Sequence, residues 1–376
     1  MDAIQMVDLK NQHNKIKHEI NAAINEVLDS AAFVKGRKIK EFETALADFL
    51  NVKHAISVGN GTDALQIALM ALELKAGDEV IVPNFTFIAS AEVIALLGLI
   101  PVFADVDYDT FNINADSVKT AISPKTKAII PVHLFGQAAN MEKINKLAKD
   151  YNLFVVEDNA QAIGAEYIFS EGKRKKLGTM GNLGCTSFFP SKNLGCCGDG
   201  GAIFTDNDIL AEKIRTIANH GMKTRYYHEI LGVNSRLDTL QAAILNVKLP
   251  HLKEYCEKRY EAAMYYNNAL ADLQQVITPL ISDYSTHVFH QYTLKIQNGK
   301  RNELKVFLES RNIPAMIYYP VPLHKQNVFK FSAHAGDILS VSERLCDEVL
   351  SLPMHTELSK EQQDYIANAI KEFFNK

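Results

Sequence analysis

The sequence predicts an α/β protein: a mostly parallel sheet with helices on both faces, followed by a smaller C-terminal α/β unit. Three observations predict it. Between residues 54 and 157, short unbroken apolar runs alternate with segments of helical periodicity, the pattern of strands buried on both faces. Near residue 236 this texture gives way to a long helical stretch that meets Pro250. The chain's 376 residues, 47% of them hydrophobic and 22% charged, suffice for a sizeable core in two domains, placed at 1–249 and 250–376.

The elements follow in order. Ile16, Ile20, Ile24, Val27 and Leu28 fall on one helical face, as do Ile39, Phe42, Leu46 and Phe49. "HAISV" (54–58) then precedes the helical "DALQIALMAL" (63–72), and "EVIV" (79–82) precedes "ASAEVIALLG" (89–98). "IPVFADV" (100–106), "AIIPV" (128–132) and "LFVVE" (153–157) read as strands, with "MEKINKLAKDY" (141–151) a helix between the last two. Past Pro250 come a helical run, a strand "YTLKI" (292–296), a helix over 301–311 and two further helical segments.

Composition excludes several classes of protein. A formal net charge of −4 gives no field to gather nucleic acid or anionic membrane, and the clusters 173–176 and 222–228 read as solvated loops or as charge near a diphosphate. The longest apolar run, 93–104, is too short to span a bilayer, and the polar start lacks a signal-peptide core, so a cytoplasmic protein is expected. Five irregularly spaced cysteines fit neither a disulfide framework nor a metal site.

Chemistry concentrates in three loops at predicted strand ends, where open α/β sheets place their sites. "VGNGTDALQ" (58–66) opens a helix with Gly61, Thr62 and Asp63; exposed amides there form an anion site, while a simple turn and cap explain the same residues. "VVEDNAQAIGA" (155–165) sets Asp158 and Gln161 after a buried strand, as a helix cap or as a paired carboxylate. Glu157, by strand alternation, points to the opposite face. "CTSFFPSKNLGCCGDGG" (185–201) places Lys192 beside aromatics and a glycine-dense turn. Burial of such an amine lowers its pKa and exposes a nucleophile suited to imine chemistry. A phosphate cradle, an acid for a ring nitrogen and a lysine are together the handles that pyridoxal phosphate requires. No dinucleotide fingerprint or Walker loop is present.

Long stretches, among them "GNGTDAL", "VPNFTFIAS", "PVHLFGQ", "EDNAQAIGA", "SFFPSKNLGCCGDGG", "GVNSRLDTLQAAIL", "YYPVPLH" and "SLPMH", resemble the DegT/DnrJ/EryC1/StrS sugar aminotransferases nearly end to end. The resemblance is strongest to those acting on UDP-2-acetamido-2-deoxy-3-oxo-glucuronate in O-antigen pathways. It implies the fold-type I architecture of pyridoxal-phosphate enzymes and a homodimer with shared active sites. Lys192 is then the catalytic residue, carrying pyridoxal 5'-phosphate and moving its proton. Asp158 pairs with the ring nitrogen, and Gln161 sits near the phenolic oxygen. Thr62, the Asp63 amide and Ser187 hold the phosphate, Phe87 stacks on the ring, and Asn234 reaches a phosphate oxygen in the neighbouring subunit.

L-Glutamate is the implied donor, and a UDP- or dTDP-linked keto sugar the acceptor. "GDGG" (198–201) favours amination at C3 by analogy with relatives. Arg236, Tyr318 and Tyr319 are the candidate substrate contacts; Arg236 suits a sugar carboxylate or a structural ion pair equally. Tyr318 stands where relatives often carry histidine, which removes any cationic role there. A dTDP-3-oxo-6-deoxyhexose is the rival substrate. Sugar 3-dehydratases replace the lysine by histidine, and a non-catalytic regulator has no need to keep Lys192, Asp158 and Gln161 together.

Overall fold

In the computed structural model, residues 3–330 and 339–375 are described. The central sheet contains seven strands: β1 (His54–Val58), β2 (Glu79–Pro83), β3 (Ile100–Ala104), β4 (Thr126–Ile129), β5 (Phe154–Asp158), β6 (Leu183–Ser187) and β7 (Gly201–Thr205). Their spatial order is β1-β7-β6-β5-β4-β2-β3. Only β7 runs against its neighbours, pairing antiparallel with both β1 and β6. The parallel strands are buried on both faces, which is why they read as unbroken apolar runs.

One face of the sheet packs Val80, Val82 and Ile203 against the helices Gly61–Ala71, Ala89–Leu96 and Asp208–Ile217. The other packs Ile81, Ile129 and Val155 against Ala115–Ala121 and Met141–Asp150. The amphipathic helix Arg37–Leu50 buries Phe42, Leu46 and Leu50 beside Leu237 and Leu245, so the N-terminal helical segment belongs to this core.

Pro250 interrupts the long helical stretch as expected: Thr239–Lys248 ends, a single 3-10 turn covers Leu249–His251, and Leu252–Leu270 begins. That second helix joins two cores. Leu252 packs into the first, while Ala263, Tyr266 and Leu270 enter a second with Leu294, Leu304 and Ile366. The second core lies on a small antiparallel sheet, β8 (Val276–Ile277), β9 (Tyr292–Ile296) and β10 (Val349–Leu352). Helices Arg301–Ser310 and Lys360–Phe374 complete it.

Candidate active site

Loops leaving the carboxyl ends of β1, β2, β5 and β6 meet segments 290–291 and 318–319 around a cavity of about 490 Å³. That volume suits a small-molecule site, typically about 300–1,000 Å³. Thr62, Phe87, Asp158, Gln161, Ser187, Lys192, Tyr318 and Tyr319, all singled out in the sequence, line it together.

Lys192 follows β6 on a tight turn in which its amide donates to the Phe189 carbonyl at 2.8 Å. A Cβ at Gly195 would collide with the Pro190 carbonyl oxygen, so the chain folds back there only with glycine. The buried ammonium of Lys248 holds the Gly195 carbonyl at 2.5 Å and fixes the turn from beneath. The Lys192 amine is partly open to the cavity but otherwise enclosed. Burial pulls its pKa down to about 8, against an opposing pull from the Asp158 charge.

Asp158 ends β5 and is 5% exposed. Its Oδ2 accepts from the Ser90 hydroxyl at 2.8 Å and its Oδ1 from the Ala160 amide at 3.0 Å. The preceding Glu157 points the other way, as alternation requires. It accepts from His133 Nε2 at 2.8 Å and from the amides of Gly178, Met180 and Gly181. His133 Nδ1 accepts from the Ala139 amide at 3.2 Å, which places the ring hydrogen on Nε2, facing Glu157.

The orientation of the Gln161 amide follows from its neighbours. Oε1 accepts from the Phe135 amide at 2.8 Å, so Nε2 is the donor, and it bonds the Tyr319 hydroxyl at 3.1 Å. Burial, with the Asp158 charge nearby, raises the Tyr319 pKa, which keeps the phenol neutral. Phe87 and Tyr319 lie 6.2 Å apart between ring centroids, tilted at the cavity wall. Tyr318 is half-buried beside them, and burial raises its pKa as well.

At the other end of the cavity, helix Gly61–Ala71 begins beside Ser187. A Cβ on Gly61 would lie 2.7 Å from Ser187 Cβ, so glycine alone leaves this space open. Asn60 caps the helix, its Oδ1 accepting from the Asp63 amide at 2.8 Å. The cap engages the Asp63 amide, while the amides of Gly61 and Thr62 have no protein partner among the described residues. Asp63 itself faces away from the cavity and accepts from the Ser235 hydroxyl at 2.6 Å.

Asn234 and Arg236 do not line this cavity within one chain. Arg236 borders a separate depression with Lys35, Arg215 and Lys223, and its guanidinium donates to Asn219 at 3.4 Å. His324 and Lys325 also lie outside the cavity, both engaged with Glu343.

Several residues that build the site escaped the sequence reading. Ser90 orients Asp158 from a neighbouring helix, and Ser235 ties the "GVNSR" loop to the Asp63 helix. His290 lines the cavity at 5% exposure. The buried Arg259 bonds the carbonyls of Phe289, His290 and Met354 at 3.0–3.3 Å. None of these carries a short-range signal, because each acts across more than twenty residues of sequence.

The donor set fits pyridoxal phosphate. Burial brings the amine's pKa towards neutrality, the cradle at Gly61 is kept open, and Asp158 makes no direct ion pair among the described residues. Fold and site together define an aminotransferase dependent on pyridoxal phosphate. The chain belongs to the DegT/DnrJ/EryC1/StrS aminotransferase family, whose model matches residues 14–371.

Among its relatives, a "pleiotropic regulatory protein" of Geobacillus stearothermophilus is 48% identical over 99% of this chain and 98% of its own. The UDP-2-acetamido-2-deoxy-3-oxo-D-glucuronate aminotransferase of Pseudomonas aeruginosa is 46% identical, covering 94% of this chain and 95% of its own. A UDP-N-acetyl-3-dehydro-α-D-glucosamine 3-aminotransferase of Acidithiobacillus ferrooxidans is 44% identical over 98% and 97%. The crystal structure of NtdA from Bacillus subtilis with bound cofactor PMP superposes with a TM-score of 0.89 at 32% identity, over 99% of this chain and 83% of that one. The protein is a nucleotide-sugar aminotransferase, and none of its described helices is long and apolar enough to cross a membrane.

Proposed function

We propose that this enzyme moves the amino group of L-glutamate to C3 of a UDP-linked keto sugar, UDP-2-acetamido-2-deoxy-3-oxo-D-glucuronate, for O-antigen or other surface polysaccharide in the cytoplasm. The observation that carries the chemistry is the meeting of Lys192, Asp158 and Gln161 in one cavity. The sugar is supported by 46% identity to an enzyme named for that substrate, and amination at C3 by the second UDP-sugar relative.

When bound, pyridoxal phosphate supplies an electron sink for the carbanion at the donor's α-carbon. Lys192 would hold it and, as a free amine, would move the proton at the donor's α-carbon. Asp158 would keep the ring nitrogen protonated, and Gln161 Nε2 has a second hydrogen that would serve the phenolic oxygen. Ser187, Thr62 and the first helical amides would hold the phosphate, and Phe87 would cover the ring.

A second copy of the chain completes the site in this reading. Asn234 and Arg236 have no place in their own cavity, while Phe33, Val34, Phe189, Tyr226 and Leu231 lie exposed and suit an interface. The division at 249/250 is retained as the proposed domain boundary, supported by the break at Pro250.

One observation favours the rival substrate. Lys192 is the only lysine or arginine lining the cavity among the described residues, so a uronate carboxylate must find its cation on the second copy. A dTDP-3-oxo-6-deoxyhexose makes no such demand. Incubation with [15N]glutamate and each sugar, followed by NMR of the product, tests the proposal. Label at C3 of the UDP-uronate is expected; amination of the dTDP-deoxyhexose alone would refute it.

A further inference from the structure

Asn84 is the buried residue after β2, at the start of the segment that carries Phe87, and its amide donates to the Ala104 carbonyl at 2.8 Å. The segment that carries Tyr318 and Tyr319 is fastened to it. The Leu323 amide donates to the Asn84 carbonyl at 2.9 Å, and the His324 amide to Asn84 Oδ1 at 3.0 Å. That second bond fixes the Asn84 side chain, because turning it over would set Nδ2 against another donor.

The His324 ring, 12% exposed, lies between two acceptors. Its Nδ1 is 3.0 Å from the same Asn84 Oδ1, and its Nε2 is 3.1 Å from Glu343 Oε1. A neutral imidazole has one N–H and one lone pair, so it satisfies one of these oxygens and repels the other. The doubly protonated ring satisfies both. The second acceptor is held in place as firmly as the first. Glu343 belongs to helix Ser340–Glu348, where Asp105, just beyond β3, accepts from the amides of Val341 at 3.0 Å and Ser342 at 2.8 Å. Lys325, 2.7 Å from Glu343 Oε2, and then the His324 contact hold that carboxyl below its usual range, so it stays charged.

We propose that His324 is a positioning residue: as an imidazolium bridging Asn84 and Glu343, it fastens the segment of Tyr318 and Tyr319 against that of Phe87. Tyr319 packs on Phe85 and Phe87 with ring centroids 6.0 and 6.2 Å away, so the clasp sets one wall of the cavity. The role rests on the reading of Phe87 and Tyr319 as the wall that meets the cofactor. Glu343 and Lys325 are the charged groups beside the ring among the described residues. Asp105 and Cys346 are the next titratable groups on the helix side, Arg344 turns away to Glu348, and segment 84–87 brings none. Loss of the imidazolium proton as pH rises leaves a lone pair facing an acceptor and loosens the clasp.

Protonation is read first, on the full-length chain without cofactor and with 15N in its histidines. The His324 signals are assigned by their loss in His324→Gln. At pH 7.5 an unperturbed imidazole, titrating near 6.5, is about nine-tenths neutral. His324 is expected to show two protonated nitrogens there in long-range 1H–15N spectra, and only one in Glu343→Gln. Pyridoxal phosphate is then titrated onto the chains across pH. His324→Gln is expected to bind about fivefold more weakly than the parent at pH 7, with the ratio approaching one by about pH 9.5. If His324→Gln does not fold, His324→Asn replaces it. A single protonated nitrogen in the parent, or two in Glu343→Gln, overturns the proposal. A Kd ratio that stays at one, or that does not change with pH, overturns it as well. A parent that binds no cofactor refutes the reading of the cavity, and the positioning role with it, whatever the protonation.

Discussion

Ser90 donates its hydroxyl hydrogen to Asp158 at 2.8 Å, with the serine 1% and the aspartate 5% exposed. The helix after β2 thereby orients a carboxylate at the end of β5, and the Ala160 amide secures its other oxygen. Two hydrogen-bond donors thus fix the orientation of a buried carboxylate.

Asp158→Asn keeps the shape and the Ser90 contact but removes the charge that protonates the ring nitrogen. The half-reaction with L-glutamate is expected to slow by about a hundredfold or more, with cofactor still bound. Stopped-flow absorbance checks this; a rate within a few-fold of the parent would remove Asp158 from the mechanism.

Lys192 has a pH signature in the cofactor-free chain. Burial lowers its folded pKa from 10.5 to about 8, so between these values the unfolded chain binds more protons and stability rises with pH. Lys192→Met relieves the cost of an enclosed ammonium. The variant should therefore be more stable than the parent at pH 7, by a margin that narrows as pH rises above about 8. Denaturant midpoints at pH 7 and pH 9.5 measure it. The same variant should show no turnover.

Gly61→Ala puts a methyl group 2.7 Å from Ser187 Cβ. Alanine is well tolerated in a first helical turn, so the loss falls on the cradle rather than on the helix. Cofactor affinity should drop about tenfold or more, the scale of a local overpacking penalty. Equilibrium titration of cofactor gives the answer, and an unchanged Kd would place the phosphate elsewhere.

Mixed assemblies report on sharing. Co-expressed Lys192→Ala and Asn234→Ala chains, each inactive alone, should regain about a quarter of parental activity, because half the dimers are mixed and each has one intact site. No recovery in a verified heterodimer would confine each site to one chain.

Most strands were legible because parallel strands buried on both faces leave unbroken apolar runs, as in β2, which falls on "EVIV". The reversal of β7 between β1 and β6 was not, since sheet order is a long-range outcome that local periodicity does not encode. Thr62, Asp158, Gln161 and Lys192 stood out because polar groups at buried strand ends require a reason. Ser90 and His290 were missed because only tertiary contact gives them a role.

The most direct test of the central claim is a single-turnover spectrum. The yellow enzyme is treated with L-glutamate, the donor is removed, and the UDP-linked 3-oxo-uronate or the dTDP-linked 3-oxo-deoxyhexose is added. Bleaching by glutamate, followed by rapid return of the yellow band with the UDP-uronate alone, is the predicted result. A band that glutamate never bleaches would contradict the account.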